Sequence, residues 1–156
     1  MLFRSTGRVA LHVGAQWQSK QFPDYCTLAR QLKQAGYETT YLAGPKDRLP
    51  PGVAEADVRR VTDLALVEQM LAAGCVVTND SGPMHLAAML GCPTMAIVRT
   101  VNITEWIPPR VKFIASPQTP RGYRPHPEYM SDRQLDGWPA TSAVAERVLH
   151  LLRSAG

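Results

Sequence analysis

The sequence contains few cysteines, and their spacing excludes two common kinds of small stabilised domain. Its 156 residues include three cysteines, an odd number without the paired spacing of zinc ligands. This argues against a disulfide framework and against a metal site. Two of the three lie in apolar stretches, so we expect buried free thiols in a reducing compartment. The cysteines are Cys26, Cys75 and Cys92.

Long apolar runs and basic tracts are also missing. Near the N-terminus, Arg8, His12 and Gln16 interrupt the apolar residues before they reach the length of a signal peptide or membrane span. We therefore expect a cytoplasmic protein with no membrane span. The net charge of +4 is spread along the chain, which favours anionic ligands in general and leaves nucleic acid as the weaker alternative.

The length and composition predict one folded unit. With 45% hydrophobic residues, the chain can build one sizeable core but is too short for two ordinary domains. We expect a single domain over 1–156, with a long proline-rich loop over 116–140 and a last helix over 141–153.

The most informative segment runs from Cys75 to Val98 and predicts a strand, a tight turn, a helix and a second strand. Its first residues, to Thr78, are apolar and β-branched, as in a parallel strand covered on both faces. The turn Asn79–Pro83 supplies capping side chains, a glycine and a proline suited to a first helical turn. Gly91 ends the helix, and the chain extends again over Thr94–Val98.

The start of that helix is a candidate anion site. Unpaired backbone N–H groups and the positive end of the helix dipole suit a diphosphate, and His85 can add a donor. An alternative remains open at this point, because Asp80 or Ser81 is equally explained as a helix cap in a junction that binds nothing.

Elsewhere the pattern alternates strands with helices. None of the strands has the polar alternation of an exposed sheet, which predicts an α/β, doubly wound, Rossmann-like domain with a mostly parallel sheet. Ligands of such sheets bind where the loops after strands one, two and four converge, here the loops with Lys20, Gly44 and Gly82. The predicted elements are strands 8–13, 37–42 and 58–61, helices from Leu28 to Ala35, from Leu64 to Leu71 and from Thr141 to Leu152, and the strand–helix–strand segment above.

These residues resemble a known family, the ADP-heptose:lipopolysaccharide heptosyltransferases and related glycosyltransferases of the two-domain GT-B fold. Three motifs carry the resemblance in the expected order, over about Val9–Trp106. They are His12-Val13-Gly14-Ala15 with the later Lys20 and Phe22-Pro23, then Ala43-Gly44-Pro45, then Asn79-Asp80-Ser81-Gly82-Pro83-Met84-His85-Leu86-Ala87-Ala88.

The resemblance implies the donor-binding, C-terminal half of such an enzyme and a nucleotide diphosphate sugar, such as ADP-heptose, as ligand. Lys20 would neutralise donor phosphate, and the backbone at Gly14 and Ala15 would approach it closely. Gly44 and Pro45 would shape the nucleoside pocket. The diphosphate would lie at the helix start, against Asp80, Ser81, Gly82, Pro83, Met84 and His85.

The sequence also departs from the family pattern. The acidic residue after the second strand falls at or near Lys46, which leaves Asp47 as the candidate for the ribose hydroxyls. After the fifth strand, Arg99 opens an unusual run that reaches Trp106. Arg99 is either a new phosphate or acceptor contact or a surface arginine at a strand end.

The resemblance covers only the donor-binding half, so we do not expect this sequence to contain the family's acceptor-binding half, which supplies the catalytic aspartate. We therefore predict no catalytic residue, no metal and no cofactor for this chain, and no transfer by the chain alone. Asp24, Glu105 and Asp132 are conceivable replacement bases that no spacing favours. Three hypotheses remain, namely a donor half that needs a separate acceptor-binding subunit or second copy, a non-catalytic nucleotide-sugar module, and an interaction domain using the proline-rich loop.

Overall fold

A computed structural model of the chain describes residues 7–99, 107–116 and 137–155. Within these residues, six parallel strands form one sheet in the order β3-β2-β1-β4-β5-β6. The strands are β1 (Arg8–His12), β2 (Glu38–Ala43), β3 (Val58–Arg60), β4 (Cys75–Asn79), β5 (Thr94–Val98) and β6 (Lys112–Ala115). The helices are α1 (Tyr25–Gln34), α2 (Asp63–Leu71), α3 (Gly82–Met89) and α4 (Thr141–Ser154).

The strand order places a topological switch between β1 and β4. From β1 the chain winds outward to β2 and β3, then returns to the other side of β1 and winds outward through β4, β5 and β6. The register sets His12 opposite both Leu42 and Thr78, so the carboxyl ends of these three strands are level. Loops that leave the sheet there diverge and open a crevice, which is where such sheets hold their ligands.

Helices cover both faces of the sheet, because the central strands are apolar on both sides. Every residue of β4 and β5 is buried. On one face, α1 and α4 contribute Leu28 and Val148 to the core, and on the other, α2 and α3 contribute Met70 and Met84. The predicted doubly wound, Rossmann-like α/β fold is confirmed.

The apolar residues of α2 are not all buried. Leu66 and Met70 are buried, whereas Leu64 and Leu71 are 77% and 36% exposed. Two apolar stripes overlap on this short helix, and a residue pair four apart lies on one face. Packing against the sheet selects the pair Leu66 and Met70.

The ends of the chain's elements differ in smaller ways. The pattern did not predict β6, and α4 ends at Ser154, just beyond its predicted C-terminal end. Ala140 occupies the cap position of α4, and the Thr141 hydroxyl donates to the carboxylate of Asp24. Most of the predicted 116–140 loop lies outside the described residues, as do Trp106 and the candidate bases Glu105 and Asp132.

All three cysteines are free, as expected. Cys75 and Cys92 are buried, and burial raises the pKa of the Cys75 thiol to about 12 and that of Cys92 to about 11. Both thiols are therefore protonated and unreactive near neutral pH.

Candidate functional site

The turn between β4 and α3 leaves the first turn of the helix without a side-chain cap. Ser81 precedes α3 in extended conformation, with φ −160° and ψ 173°, but makes no capping hydrogen bond. Its hydroxyl lies 3.3 Å from the carbonyl oxygen of Asn79, to which it donates. Pro83, in the first turn, has no N–H of its own to satisfy. The alternative that Ser81 or Asp80 serves as a side-chain cap therefore finds no support, and the helix N-terminus stays available to an anion.

Space in front of this turn is open. A Cβ added to Gly82 would meet nothing within 4 Å, and the side chain of His85 is exposed. Met84 was predicted as a site residue, but its side chain is fully buried in the core, so only its backbone faces the turn. The buried side chain of Met84 thus anchors the exposed N-terminus of α3 in the core.

Lys20 and Asp80 are brought together at this turn from distant parts of the sequence. Lys20 ends a 3-10 turn over Gln18–Lys20, and its Nζ lies 3.0 Å from Asp80 Oδ2. The Asp80 side chain is 13% exposed and that of Lys20 is 38% exposed, so the pair forms one wall of the open space. The carboxylate also complements the positive end of α3.

Asn79 is the residue that holds the Lys20 loop in place, and the sequence analysis did not assign it a role. Its Oδ1 accepts hydrogen bonds from the Phe22 N–H and the Tyr25 hydroxyl, each at 2.9 Å. Its Nδ2 lies 3.3 and 3.2 Å from the carbonyl oxygens of Val13 and Gly14, to which it donates. Asn79 is fully buried, so these bonds form away from water, where an unmade bond is costly.

Gln21 connects the same loop to the one after β2. Its Nε2 lies 2.9 Å from the carbonyl oxygen of Val13 and 2.7 Å from that of Arg48. Ala15, predicted near the phosphates, is buried and forms an isolated antiparallel bridge with Arg48. The loops after β1 and β2 are therefore joined through backbone carbonyls.

The predicted nucleoside turn, Gly44–Asp47, is closed by Asp47. Its Oδ2 lies 2.7 Å from the N–H of Gly44, which donates to it, and the Asp47 N–H lies 3.3 Å from the Gly44 carbonyl oxygen. A Cβ added to Gly14 would lie 2.2 Å from Asp47 Oδ2. The lack of a side chain at Gly14 therefore makes room for this carboxylate, in addition to any ligand.

Arg60, at the end of β3, donates hydrogen bonds to two backbone carbonyls of this turn. Its Nη1 lies 2.6 Å from the carbonyl oxygen of Gly44 and 2.7 Å from that of Asp47. Its Nε and Nη2 pair with the two carboxylate oxygens of Glu55 at 2.8 and 2.9 Å. The hydrogen bond from Arg60 lowers the pKa of Glu55 below its ordinary value, so the pair is charged at neutral pH.

A buried histidine lies beneath the crevice. His12 ends β1, is 2% exposed, and has no hydrogen-bond partner at Nδ1 among the described residues. Burial lowers its pKa, and the negative charge of Asp47 opposes this effect. His12 is therefore neutral at pH 7.

Arg99, which follows β5, is held against an aromatic cluster. Its guanidinium lies 5.3 Å from the centre of the Trp138 ring, within the range of a cation–π contact. Trp138 also meets Phe22 edge to face, with ring centres 5.8 Å apart. Trp138, three positions before the start of α4, is thus packed against Phe22, which lies in the same loop as Lys20.

Two absences can be stated of the part of the chain that the structure describes. Among the residues that the structure describes, no group of three or more His, Cys, Asp or Glu side chains is placed to hold a metal ion. In the same residues, no helix has the length and apolar character needed to cross a membrane. In the first turn of α3 the Met84 N–H already donates to the Ser81 carbonyl oxygen at 3.1 Å, and Pro83 has no N–H. The site as described offers the Gly82 N–H, one lysine and an exposed histidine, which are ligands for an anion.

The site and fold can be compared with those of known proteins. The solved structures with similar folds include the E. coli ADP-heptose lps heptosyltransferase II, with 23% sequence identity and a TM-score of 0.63 over 94% of this chain and 46% of that one. The iron-containing heptosyltransferase TibC, solved as a dodecamer with ADP-D-beta-D-heptose, has 16% identity and a TM-score of 0.61 over 96% and 46%. E. coli heptosyltransferase WaaC, with ADP-2-deoxy-2-fluoro heptose, has 16% identity and a TM-score of 0.54 over 92% and 43%.

This chain therefore spans less than half the length of these solved proteins. Comparison with curated proteins gave no match. Among protein-family models, glycosyltransferase family 9 (heptosyltransferase) matches residues 4–120, which include the crevice loops and the uncapped start of α3. Because that segment makes up about three quarters of the 156 residues, the chain belongs to glycosyltransferase family 9, the heptosyltransferases.

Proposed function

We propose that this chain binds a nucleotide diphosphate sugar and provides the donor-binding half of a heptosyltransferase-like glycosyltransferase. The observation that carries the proposal is the open N-terminus of α3, which has no side-chain cap and has the Lys20 ammonium at its edge, 3.0 Å from Asp80. A diphosphate there would accept a hydrogen bond from the Gly82 N–H, lie at the positive end of the helix dipole and pair with Lys20. The nucleoside would extend toward the Gly44–Asp47 turn.

The chemistry of such a site is stabilisation of a leaving group. When the sugar is transferred, the bond from its anomeric carbon to the diphosphate oxygen breaks, and negative charge grows on the departing nucleotide diphosphate. Donors already fixed around that charge lower the barrier without having to reorganise. Lys20 and the helix N-terminus would fill this role, and His85 would add a donor from the exposed side of α3.

A complete transferase also needs an acceptor site and a base to take the acceptor's proton. Asp24, one of the candidate bases, accepts a hydrogen bond from Thr141 and so has a structural role between α1 and α4. We therefore propose that transfer requires an acceptor-binding half, on a separate subunit or in a larger assembly. The complete enzyme would act in lipopolysaccharide synthesis in the cytoplasm. Similarity to structures that contain ADP-heptose compounds supports this sugar as the first donor to test.

Calorimetric titration of the chain with ADP, UDP and GDP, and with their sugar conjugates, tests the proposal at fixed moderate salt. We expect saturable binding of at least one nucleotide, weakened about tenfold or more by Lys20→Ala, since a hydrogen bond between charged groups contributes about 1.5–3 kcal/mol. Lys33→Ala, which removes an exposed lysine from α1, is the matched control. Absence of binding to all of them would contradict the proposal and favour an interaction domain, whereas equal affinities for the two variants would remove Lys20 from the site.

A further inference from the structure

All three nitrogens of the Arg60 side chain donate hydrogen bonds within the protein. Its Nε and Nη2 take both oxygens of Glu55, while Nη1 reaches the carbonyl oxygens of Gly44 and Asp47. These two carbonyls belong to the first and last residues of one turn. One nitrogen, Nη1, therefore binds both ends of the turn while the other two bind the Glu55 carboxylate, an arrangement that the point charge of a lysine does not reproduce.

Because the turn is held in one conformation, the side chain of Asp47 is also held in one orientation. Its Oδ2 is bound by the Gly44 N–H at 2.7 Å, which is inside the same turn. The carboxylate lies against Gly14, between the loops after β1 and β2, at the edge of the crevice. If Arg60 no longer bound the carbonyls of Gly44 and Asp47, the turn would become more mobile. The Asp47 carboxylate would then no longer be held in one orientation.

Stability alone does not account for this arrangement. Glu55 is 67% exposed, and exposed ion pairs contribute little to folding. The carbonyls of Gly44 and Asp47 lie in the turn after β2, where their hydrogen bonds to Arg60 are partly buried. What Arg60 adds is a single conformation of the turn, which lowers the entropy lost when a ligand binds to it.

We propose that Arg60, oriented by Glu55, is a positioning residue that holds the Gly44–Asp47 turn so that Asp47 meets the ribose hydroxyls of the nucleotide. This rests on the proposed function, since it assigns Asp47 to the nucleoside end of the same donor. Arg60 does not touch the ligand. It acts through Asp47, and its effect is confined to the ribose part of recognition.

The first experiment measures the turn itself, without any ligand. Amide hydrogen exchange of Gly44 and Asp47 is compared in the wild-type chain and in Arg60→Ala and Glu55→Gln. We expect faster exchange at both amides in Arg60→Ala and a smaller increase in Glu55→Gln. Arg8→Ala is the control, because Arg8 also pairs with an exposed carboxylate, that of Glu38 at 3.7 Å, but at the opposite end of β1. Exchange unchanged from the wild type would overturn the inference.

The second experiment separates ribose recognition from phosphate binding. Affinities are measured for the tightest-binding nucleoside diphosphate, for its 2′,3′-dideoxy form and for inorganic pyrophosphate. In Arg60→Ala we expect the preference for the hydroxylated nucleotide to fall by about tenfold, the effect of one hydrogen bond to a charged group. Pyrophosphate affinity should stay within about twofold, because the α3 N-terminus and Lys20 are untouched.

The double variant Arg60→Ala/Asp47→Asn decides whether Arg60 acts through Asp47. We expect Asp47→Asn alone to remove the same preference and Arg60→Ala to add nothing in that background. Additive losses, or a preference kept in Arg60→Ala, would overturn the inference while leaving nucleotide binding intact. Failure of the wild-type chain to bind any nucleotide would instead remove the proposed function, and this inference with it.

Discussion

Lys20 Nζ lies 3.0 Å from Asp80 Oδ2, so the cation predicted to meet donor phosphate is paired with a carboxylate in the structure. An incoming diphosphate would share Lys20 with Asp80 and would also approach a negative charge. The pair therefore holds Lys20 at the turn, at a cost in anion affinity. Since the Lys20 side chain is 38% exposed, water screens part of both effects.

Removing the charge of Asp80 while keeping its shape should tighten the binding of a simple anion. We expect Asp80→Asn to raise the affinity for inorganic pyrophosphate about fivefold, since a partly screened charge near the surface is worth up to about 1 kcal/mol. Isothermal titration at low and high salt measures this, and the gain should shrink at high salt. Glu146→Gln makes the same charge change at an exposed position of α4. Weaker pyrophosphate binding in Asp80→Asn would show that the carboxylate supports the anion rather than opposing it.

Substitution by valine should affect ligand binding at Gly82 but stability at Gly14. A Cβ at Gly82 meets nothing within 4 Å, whereas one at Gly14 lies 2.2 Å from Asp47 Oδ2 and 2.6 Å from Asp47 Cβ. We therefore expect Gly82→Val to weaken pyrophosphate and nucleotide binding at nearly unchanged stability. Gly14→Val should lower the free energy of unfolding by roughly 1–3 kcal/mol, the range for forcing atoms into a packed site.

Urea denaturation and titration of both variants measure this contrast. A stable Gly82→Val that binds as well as the wild type would remove the helix N-terminus from the site. A Gly14→Val variant as stable as the wild type would show that Asp47 moves aside freely.

The sequence predicts the central strands well because they are buried on both faces. The β5 strand, Thr94–Val98, has its predicted bounds, and the apolar β-branched run before Asn79 is β4. By contrast β6 is four residues long, lies at the edge of the sheet and begins with an exposed lysine, Lys112. An edge strand of this kind has neither the apolar run nor the alternation that a pattern search detects.

The site divides in a similar way. Local motifs predict the turn before α3 and the Lys20 loop, because capping and turn residues act over a few positions of the chain. The roles of Asn79, Gln21 and Arg60 depend on partners that only the folded sheet brings together. Asn79 meets Phe22, 57 positions away, and Arg60 meets Gly44, 16 positions away. Nothing in a single sequence marks such pairs.

Asn79 should be costly to replace, because each of its polar atoms has a buried backbone or hydroxyl partner. Asn79→Ala would leave the Phe22 N–H and the carbonyls of Val13 and Gly14 without this partner. We expect a loss of about 2–4 kcal/mol in the free energy of unfolding, from several unsatisfied groups at once. Tyr25→Phe removes a single bond to Asn79 and should cost about 1 kcal/mol. Urea denaturation of both variants checks this order, and equal losses would show that Asn79 does not join the loops.

His12 gives the chain a stability that depends on pH. Its pKa in the folded chain is below the ordinary value of 6.5, chiefly because burial disfavours the charged form. Well above pH 6.5 the imidazole is neutral in both the folded and the unfolded chain, so its protonation does not reduce the free energy of unfolding there. As the pH falls below 6.5, the unfolded chain takes up a proton that the folded chain does not, so the free energy of unfolding decreases.

The decrease should follow a slope of at most about 1.4 kcal/mol for each pH unit, the limit for a single proton. We expect His12→Gln to flatten the dependence of the unfolding free energy on pH between 7 and 5, measured by urea denaturation at several pH values. His85→Gln, at an exposed position of α3, controls for the loss of one histidine. The same slope in His12→Gln and in the wild type would mean that other groups set the acid sensitivity. A flattened slope would show that the fold keeps a neutral imidazole beneath the crevice, close enough to feel the charge of Asp47.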